Sequence, residues 1–277
     1  MKKDDNQKKK MKINLPNVKH KIVVLSGKGG VGKSTVASNL AVALSQKNYK
    51  VGLLDSDMHG PSIPKMLGVE DKKPTGTQKS INPIQTKDGL KVMSMGFLVQ
   101  NHDDPVIWRG PMKMGVIRQL LGDVNWGKLD YMIIDLPPGT GDEPLSIAQI
   151  LENIDGAVVV TTPQDVALVS VRKSINFVKK LNLDILGIVE NMSGFTCPHC
   201  GEDINIFKTG GGKKAAEDFQ IPLLGSIPLD PHIVEAGDTG KTFMLKNRNR
   251  ETVNSFNKIV ENIEKILNKK EEVGGER

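Results

Sequence analysis

The residues Gly27-Lys28-Gly29-Gly30-Val31-Gly32-Lys33-Ser34-Thr35 match the pattern G-x-x-x-x-G-K-[ST] in full. Glycines at this spacing let the backbone curl until several N–H groups face one point, an arrangement that suits phosphate oxygens. Lys33 is placed to reach the β- and γ-phosphates of a nucleotide, and the Ser34 hydroxyl to ligate Mg²⁺. A helix must open at this loop, and its N-terminal dipole adds to the attraction for anions. ATP with Mg²⁺ is the ligand this constellation expects. Asp135 closes the apolar run Tyr131-Met-Ile-Ile134 and precedes Leu-Pro-Pro-Gly139-Thr-Gly141. A carboxylate at such a strand end sits beside the phosphate loop and holds magnesium directly or through water. Asp55 and Asp57 flank Ser56 at the end of another apolar run. Asp57 lies farther out, near enough to the metal to join its shell and to orient an attacking water; a capping role is the alternative for either aspartate.

Cys197 and Cys200 are the two cysteines of the chain. One pair in a protein of this size is no disulfide scaffold, and the spacing points to metal or redox chemistry. A [4Fe–4S] cluster or a structural zinc takes four protein ligands, twice what one chain supplies. Two chains meeting about a two-fold axis would supply four. Zinc suits the same sulfurs, and a thioredoxin-like redox pair is the third reading, although the motif does not follow a first strand as it does in that fold. His199 reads as a loop residue rather than a ligand.

These groups need elements to hold them. From residue 21 the sequence alternates short β-branched runs, Gly- or Asp-marked turns and helical stretches. Strands are expected at 21–26, 51–55, 90–95, 131–135, 156–161, 185–190 and 223–227, with helices at 33–46 and 165–181 among others. Most of the strand runs are continuously apolar, as strands buried on both faces should be. The alternation predicts an α/β fold, a mostly parallel sheet with helices on both faces, in one domain. Residues 70–88 read as a long mobile loop, and residues 195–207, with both cysteines, as an insertion. Val253, Phe256, Val260, Ile263 and Leu267 recur at helical spacing and predict a last helix packed back on the domain.

Composition bounds the partners. Of 277 residues, the first 21 hold eight lysines and two aspartates, which accounts for the whole net charge of +6. The remainder sums to zero, so the folded domain has no net basic footprint for nucleic acid. Residues 1–20 read as a basic, disordered leader, residues 21–268 as the ATPase domain and 269–277 as a tail. No apolar run approaches the roughly 20 residues of a membrane span. No apolar region follows the lysines as in a secretory signal. The expected location is the cytoplasm, without stable membrane or nucleic-acid binding.

Lys28-Gly-Gly-Val-Gly-Lys-Ser34 resembles the deviant phosphate loop of the ATPases that include MinD, ParA and the nitrogenase iron protein. In that class the extra lysine, here Lys28, reaches across a dimer interface and stabilises transition-state charge in trans. Leu54-Asp-Ser-Asp57-Met-His-Gly60-Pro61-Ser62 looks like its first switch and Asp135-Leu-Pro-Pro-Gly139 like its second. Asn191, Pro228 and Asp230 fall at positions that contact the adenine base. The resemblance sharpens to the Mrp/ApbC family of iron–sulfur cluster carriers. Its marks are Trp108-Arg-Gly-Pro111, Asp135-Leu-Pro-Pro-Gly-Thr-Gly-Asp142, Thr162-Pro-Gln164 and Asn191-Met-Ser-Gly-Phe-Thr-Cys197-Pro-His-Cys200. That resemblance implies a homodimer that hydrolyses ATP slowly, with Lys28, Lys33 and Asp57 in hydrolysis. It implies a [4Fe–4S] cluster held across the dimer by Cys197 and Cys200, and apo iron–sulfur proteins as acceptors. A spatial regulator similar to MinD or ParA, acting on membrane or DNA, is the competing expectation, and a nucleotide-gated scaffold with little turnover is a third.

Overall fold

Eight consecutive residues, Val18–Leu25, form β1, and nearly all of them are buried. The chain is a computed structural model that describes residues 12–58, 60–77, 80–98, 110–246 and 251–274. After β1 come α1 (Lys33–Gln46), β2 (Val51–Asp55) and a single turn of helix, α2 (Ile63–Met66). Then follow β3 (Thr75–Thr77), β4 (Ser80–Asn82), β5 (Ile84–Gln85), β6 (Lys91–Ser94), α3 (Gly110–Gly122), β7 (Leu129–Asp135) and α4 (Asp142–Ile150). The second half holds β8 (Gly156–Thr161), α5 (Asp165–Lys180), β9 (Ile185–Asn191), β10 (Phe195–Thr196), β11 (Asp203–Ile204), α6 (Gly211–Phe219) and β12 (Leu223–Ile227). It closes with α7 (Pro231–Asp238), α8 (Phe243–Lys246) and α9 (Glu251–Gly274).

The central sheet has eight strands in the order β12-β9-β8-β1-β7-β2-β6-β5. Every neighbour is parallel except β5, which runs antiparallel to β6 at the edge. Along β1 the side chains alternate between two cores, as the pleat requires. Ile22 and Val24 face one core, shared with Leu40 of α1 and with Phe256, Ile259 and Ile263 of α9. Val23 and Leu25 face the other, shared with Leu120 of α3 and with Val171 and Ile175 of α5. A strand with apolar side chains on both faces is stable only when helices cover both, and the sheet is covered so. The fold class and the expected last helix match this architecture.

Three expectations are corrected. The stretch 70–88 is no plain loop: β3 and β4 pair antiparallel and β5 joins the main sheet. Its strands are too short to declare themselves by periodicity. The leader drawn at 1–20 reaches too far, because β1 begins at Val18 and Ile13 bridges Leu151 in parallel; residues 1–11 lie outside the described residues. The tail drawn from 269 begins inside α9, which continues to Gly274; residues 275–277 lie outside the described residues. His59 of the first switch and Trp108 and Arg109 of the family mark also lie outside them. Among the described residues no helix is long and apolar enough to cross a membrane.

Candidate functional site

A parallel sheet brings the carboxyl ends of its strands to one edge, where ligands bind in open α/β folds. Here β1 ends at the phosphate loop, β2 at Asp55, β7 at Asp135 and β9 at Asn191. The loop Gly27–Gly32 carries the chain from β1 into α1 without a side-chain cap. Gly32 is required twice over. Its φ of 80° is left-handed, and a Cβ there would stand 2.2 Å from the Asn191 amide nitrogen. That nitrogen donates to the Val31 carbonyl at 2.9 Å, stitching the loop to the end of β9. Gly29 and Gly30 are exposed, with Gly27 and Lys28 half-buried, and the Ser26 hydroxyl donates to the Lys28 carbonyl at 2.9 Å.

Lys33, Ser34 and Asp135 converge. The Lys33 ammonium lies 2.7 Å from Asp135 Oδ1, with 6% of one side chain and none of the other exposed. The Ser34 hydroxyl donates to Asp135 Oδ2 at 2.6 Å, and Lys33 Nζ donates to Ser34 Oγ at 3.2 Å. Burial pushes the Asp135 carboxyl above the usual carboxylate range, opposed by the charge and hydrogen bond of Lys33 and the hydroxyl of Ser34. Asp57 is close enough that its charge adds to the upward push. Asp55 pairs in register with Asp135 across β2 and β7. Burial, followed by the neighbouring Asp135 charge, pushes its carboxyl up to about 7. The Ser94 hydroxyl at the end of β6 donates to it at 2.9 Å, and the Asp57 N–H at 3.2 Å. Ser34 Oγ, Asp135 and Asp57 offer hard oxygen donors beside the phosphate loop, a set that fits Mg²⁺.

Beside Thr35 opens a cavity of about 280 Å³. Asn191, Pro228 and Asp230 all line it, together with Asn39, Met66 and Phe243, so the three expected base contacts border one cavity. Asp230 has a second task. Its Oδ1 accepts the His232 N–H at 2.9 Å and lies 2.8 Å from His232 Nδ1, and its Oδ2 accepts the Thr252 hydroxyl at 2.9 Å. It is the N-cap of α7. Burial raises its pKa, but the His232 N–H, the His232 ring and Thr252 together outweigh it, and the net shift is downward.

The cysteines stand on the turn between β10 and β11. Cys197 is half-buried and Cys200 exposed. The Cys197 carbonyl accepts from Gly201 N at 2.9 Å, where a φ of +74° reverses the chain. The N–H of Cys200, then that of His199, then the Cys200 thiol point at the Cys197 sulfur and lower its pKa. Such a turn keeps the two sulfurs close together at the surface, as a metal ligand pair needs. Among the described residues no third Cys, His, Asp or Glu joins the pair to make a metal-binding group.

Sequence reasoning passed over Ser94, Ser56 and Glu190. Ser56 donates its hydroxyl to the Asp135 carbonyl at 2.5 Å, and Ser94 holds Asp55. Each stands where an apolar strand stops, beside a strand that ends in aspartate, which was the available signal. Glu190 is a carboxylate at the end of the buried run of β9, and only 1% of it is exposed.

The family model for ParA, described as a NUBPL iron-transfer P-loop NTPase, matches residues 17–264. The iron-sulfur cluster carrier protein of Methanocaldococcus jannaschii is 54% identical over 266 residues, covering 96% of this chain and 91% of its own. Among solved structures, the nucleotide-binding protein of Archaeoglobus fulgidus in complex with ADP, with cobalt found in it, superposes with a TM-score of 0.73. It is 41% identical and covers 86% of this chain and 91% of its own. The cell division ATPase MinD of Pyrococcus furiosus superposes with a TM-score of 0.65 at 27% identity, covering 89% of this chain and 99% of its own.

Proposed function

Because the chain belongs to the ParA family of NUBPL-type iron-transfer P-loop NTPases, we propose that it is an ATP-hydrolysing carrier of iron–sulfur clusters. Two copies hold one [4Fe–4S] cluster between them on Cys197 and Cys200 of each, and pass it to apo iron–sulfur proteins. The observation that carries this reading is the cysteine turn. It presents two thiols, Cys200 exposed and Cys197 half-buried and made more acidic, without a third ligand among the described residues. A cluster on such a turn is exposed to solvent and to acceptor proteins, and exposure suits release. The reducing cytoplasm, where a thiol pair stays free, is the compartment that fits.

ATP hydrolysis is assigned to the sheet edge. Lys33 reaches the β- and γ-phosphates from its position over Asp135, and the loop N–H groups face the phosphate oxygens. Ser34 and Asp135 would hold Mg²⁺, Asp135 directly or through water, with Asp57 beside them. The metal supplies neutralisation of phosphate charge. Asp57 orients the attacking water, and Lys28 of one copy serves the nucleotide of the other. Thr35, Asn191 and Pro228 take the nucleoside in the adjoining cavity. Asp230 shapes the cavity wall through the helix it caps.

Anaerobic reconstitution with iron and sulfide, followed by visible absorbance and mass measurement, tests the carrier reading. About one [4Fe–4S] per dimer is expected, with mass shifting from monomer to dimer as iron is added. Cys197→Ala or Cys200→Ala each removes two of the four ligands and should abolish stable loading while ATP binding persists. A colourless dimer holding zinc would replace the cluster with the alternative metal on the same sulfurs. A monomer that holds a full cluster, or a double-cysteine variant that still transfers one, would overturn the bridging model.

A further inference from the structure

The excursion that carries the cysteines leaves β9 after Asn191 and returns at the start of α6. Its two ends lie side by side, since a Cβ on Gly194 would come within 3.5 Å of the Thr209 methyl. One side chain touches both ends. Glu190 Oε1 accepts the Ser193 hydroxyl at 2.5 Å on the way out and the Gly210 N–H at 3.0 Å on the way back. Its Oε2 accepts the Gly212 N–H in the first turn of α6. Gly210 is the N-cap of α6 and has no side chain to satisfy that helix end, so the carboxylate does so from the sheet. The packing leaves no slack: a Cβ on Gly212 would stand 2.9 Å from Glu190 Cβ. The outgoing end is also stitched to the nucleotide side. Ser193 N donates to the Ile227 carbonyl at 2.9 Å, and Leu229 N to the Gly194 carbonyl at 2.8 Å.

We infer that Glu190 is a positioning residue for the cysteine pair. Its buried carboxylate clamps the excursion at both ends and fixes how Cys197 and Cys200 are presented beside the nucleotide cavity. The inference rests on the carrier reading above for its purpose, but not for its test. A hairpin of two two-residue strands cannot hold its own orientation. The anchor must come from outside it: backbone bonds to Ile227 and Leu229 hold the outgoing end and Lys208 on Asp165 holds the returning arm, while the three bonds to Glu190 join the two.

Glu190→Gln keeps the shape but turns an NH₂ group toward donors that need an acceptor. Ser193→Ala is the milder variant and releases the outgoing end alone. In both, amide hydrogen exchange of residues 195–207 and of the first turn of α6 should quicken, more in Glu190→Gln. Exchange across β8 and the phosphate loop, and ATP affinity, should stay at wild-type values. Loss of Co²⁺, bound alone as a spectroscopic probe of the cysteine pair, should become up to about 10-fold faster in Glu190→Gln, at the low end of the range for removing a group bonded directly to a metal ligand, because Glu190 acts through the backbone. Unchanged exchange in the hairpin together with unchanged Co²⁺ loss would overturn the inference. So would uniform quickening across the whole sheet, which marks plain destabilisation. If wild-type protein assembles no cluster across two chains, the carrier reading falls, while the exchange comparison still decides the role of Glu190.

Discussion

Lys33 would be treated by a motif as a contact to ligand, dispensable to the fold, yet its ammonium is buried against a fully buried Asp135. Removing one partner of a buried pair leaves the other uncompensated and costs about 3–5 kcal/mol. Lys33→Ala should therefore lose nucleotide binding and also lower the urea midpoint measured without added nucleotide. Adding Asp135→Asn to that variant should recover most of the stability while binding stays lost. Full stability in the single variant would show that Asp135 is satisfied by other groups. Ser94 and Ser56 belong to the same scale, each turning one hydroxyl onto a group at the strand ends.

At the scale of elements, α7 and the cysteine hairpin give separable predictions. Asp230→Ala removes the N-cap of α7 and should cost about 1 kcal/mol at neutral pH. The folded carboxyl titrates below its ordinary value. Its stabilisation is therefore complete from about pH 5, a unit above the ordinary aspartate value, and is lost as pH falls through that value and then the depressed pKa. Unfolding curves of the variant and the wild type should converge on acidification from pH 5; a constant gap would mean that the cap acts through packing alone. Replacing residues 195–208 by a short Gly-Ser turn should leave the sheet and ATP binding intact, because the ends of the excursion already meet. Metal binding should vanish. Loss of ATP binding in that deletion would mean that the hairpin supports the Pro228–Asp230 wall of the cavity.

The whole molecule enters through Lys28, whose proposed target belongs to a second copy. Lys28→Ala and Asp57→Ala should each slow hydrolysis more than they weaken ATP binding, since both roles belong to the transition state. Mixed together, the two variants should regain activity that neither has alone. A hybrid dimer contains one site with its own Asp57 and a wild-type Lys28 from the partner. Steady-state phosphate release from the mixture, across a dilution series, measures this. No recovery at any concentration would place both residues in the same chain's site.

What could be read from residues alone was whatever local sequence dictates. The phosphate loop declares itself because its glycines, lysine and serine act within nine consecutive residues. The buried strands declare themselves because covering both faces demands unbroken apolar runs, and the last helix because Val253, Phe256, Val260, Ile263 and Leu267 face one core. The pairing β12-β9-β8-β1-β7-β2-β6-β5 was beyond reach, as was the edge strand β5, since two residues carry no period. So were the bonds of Asp135 to Lys33 and Ser34, about a hundred residues earlier, and the second life of Asp230 as a cap. Glu190 shows the reason most plainly. A carboxylate is stable at 1% exposure only where donors converge on it. Its donors come from Ser193, Gly210 and Gly212, which the chain brings together only by returning to the place where it left the sheet.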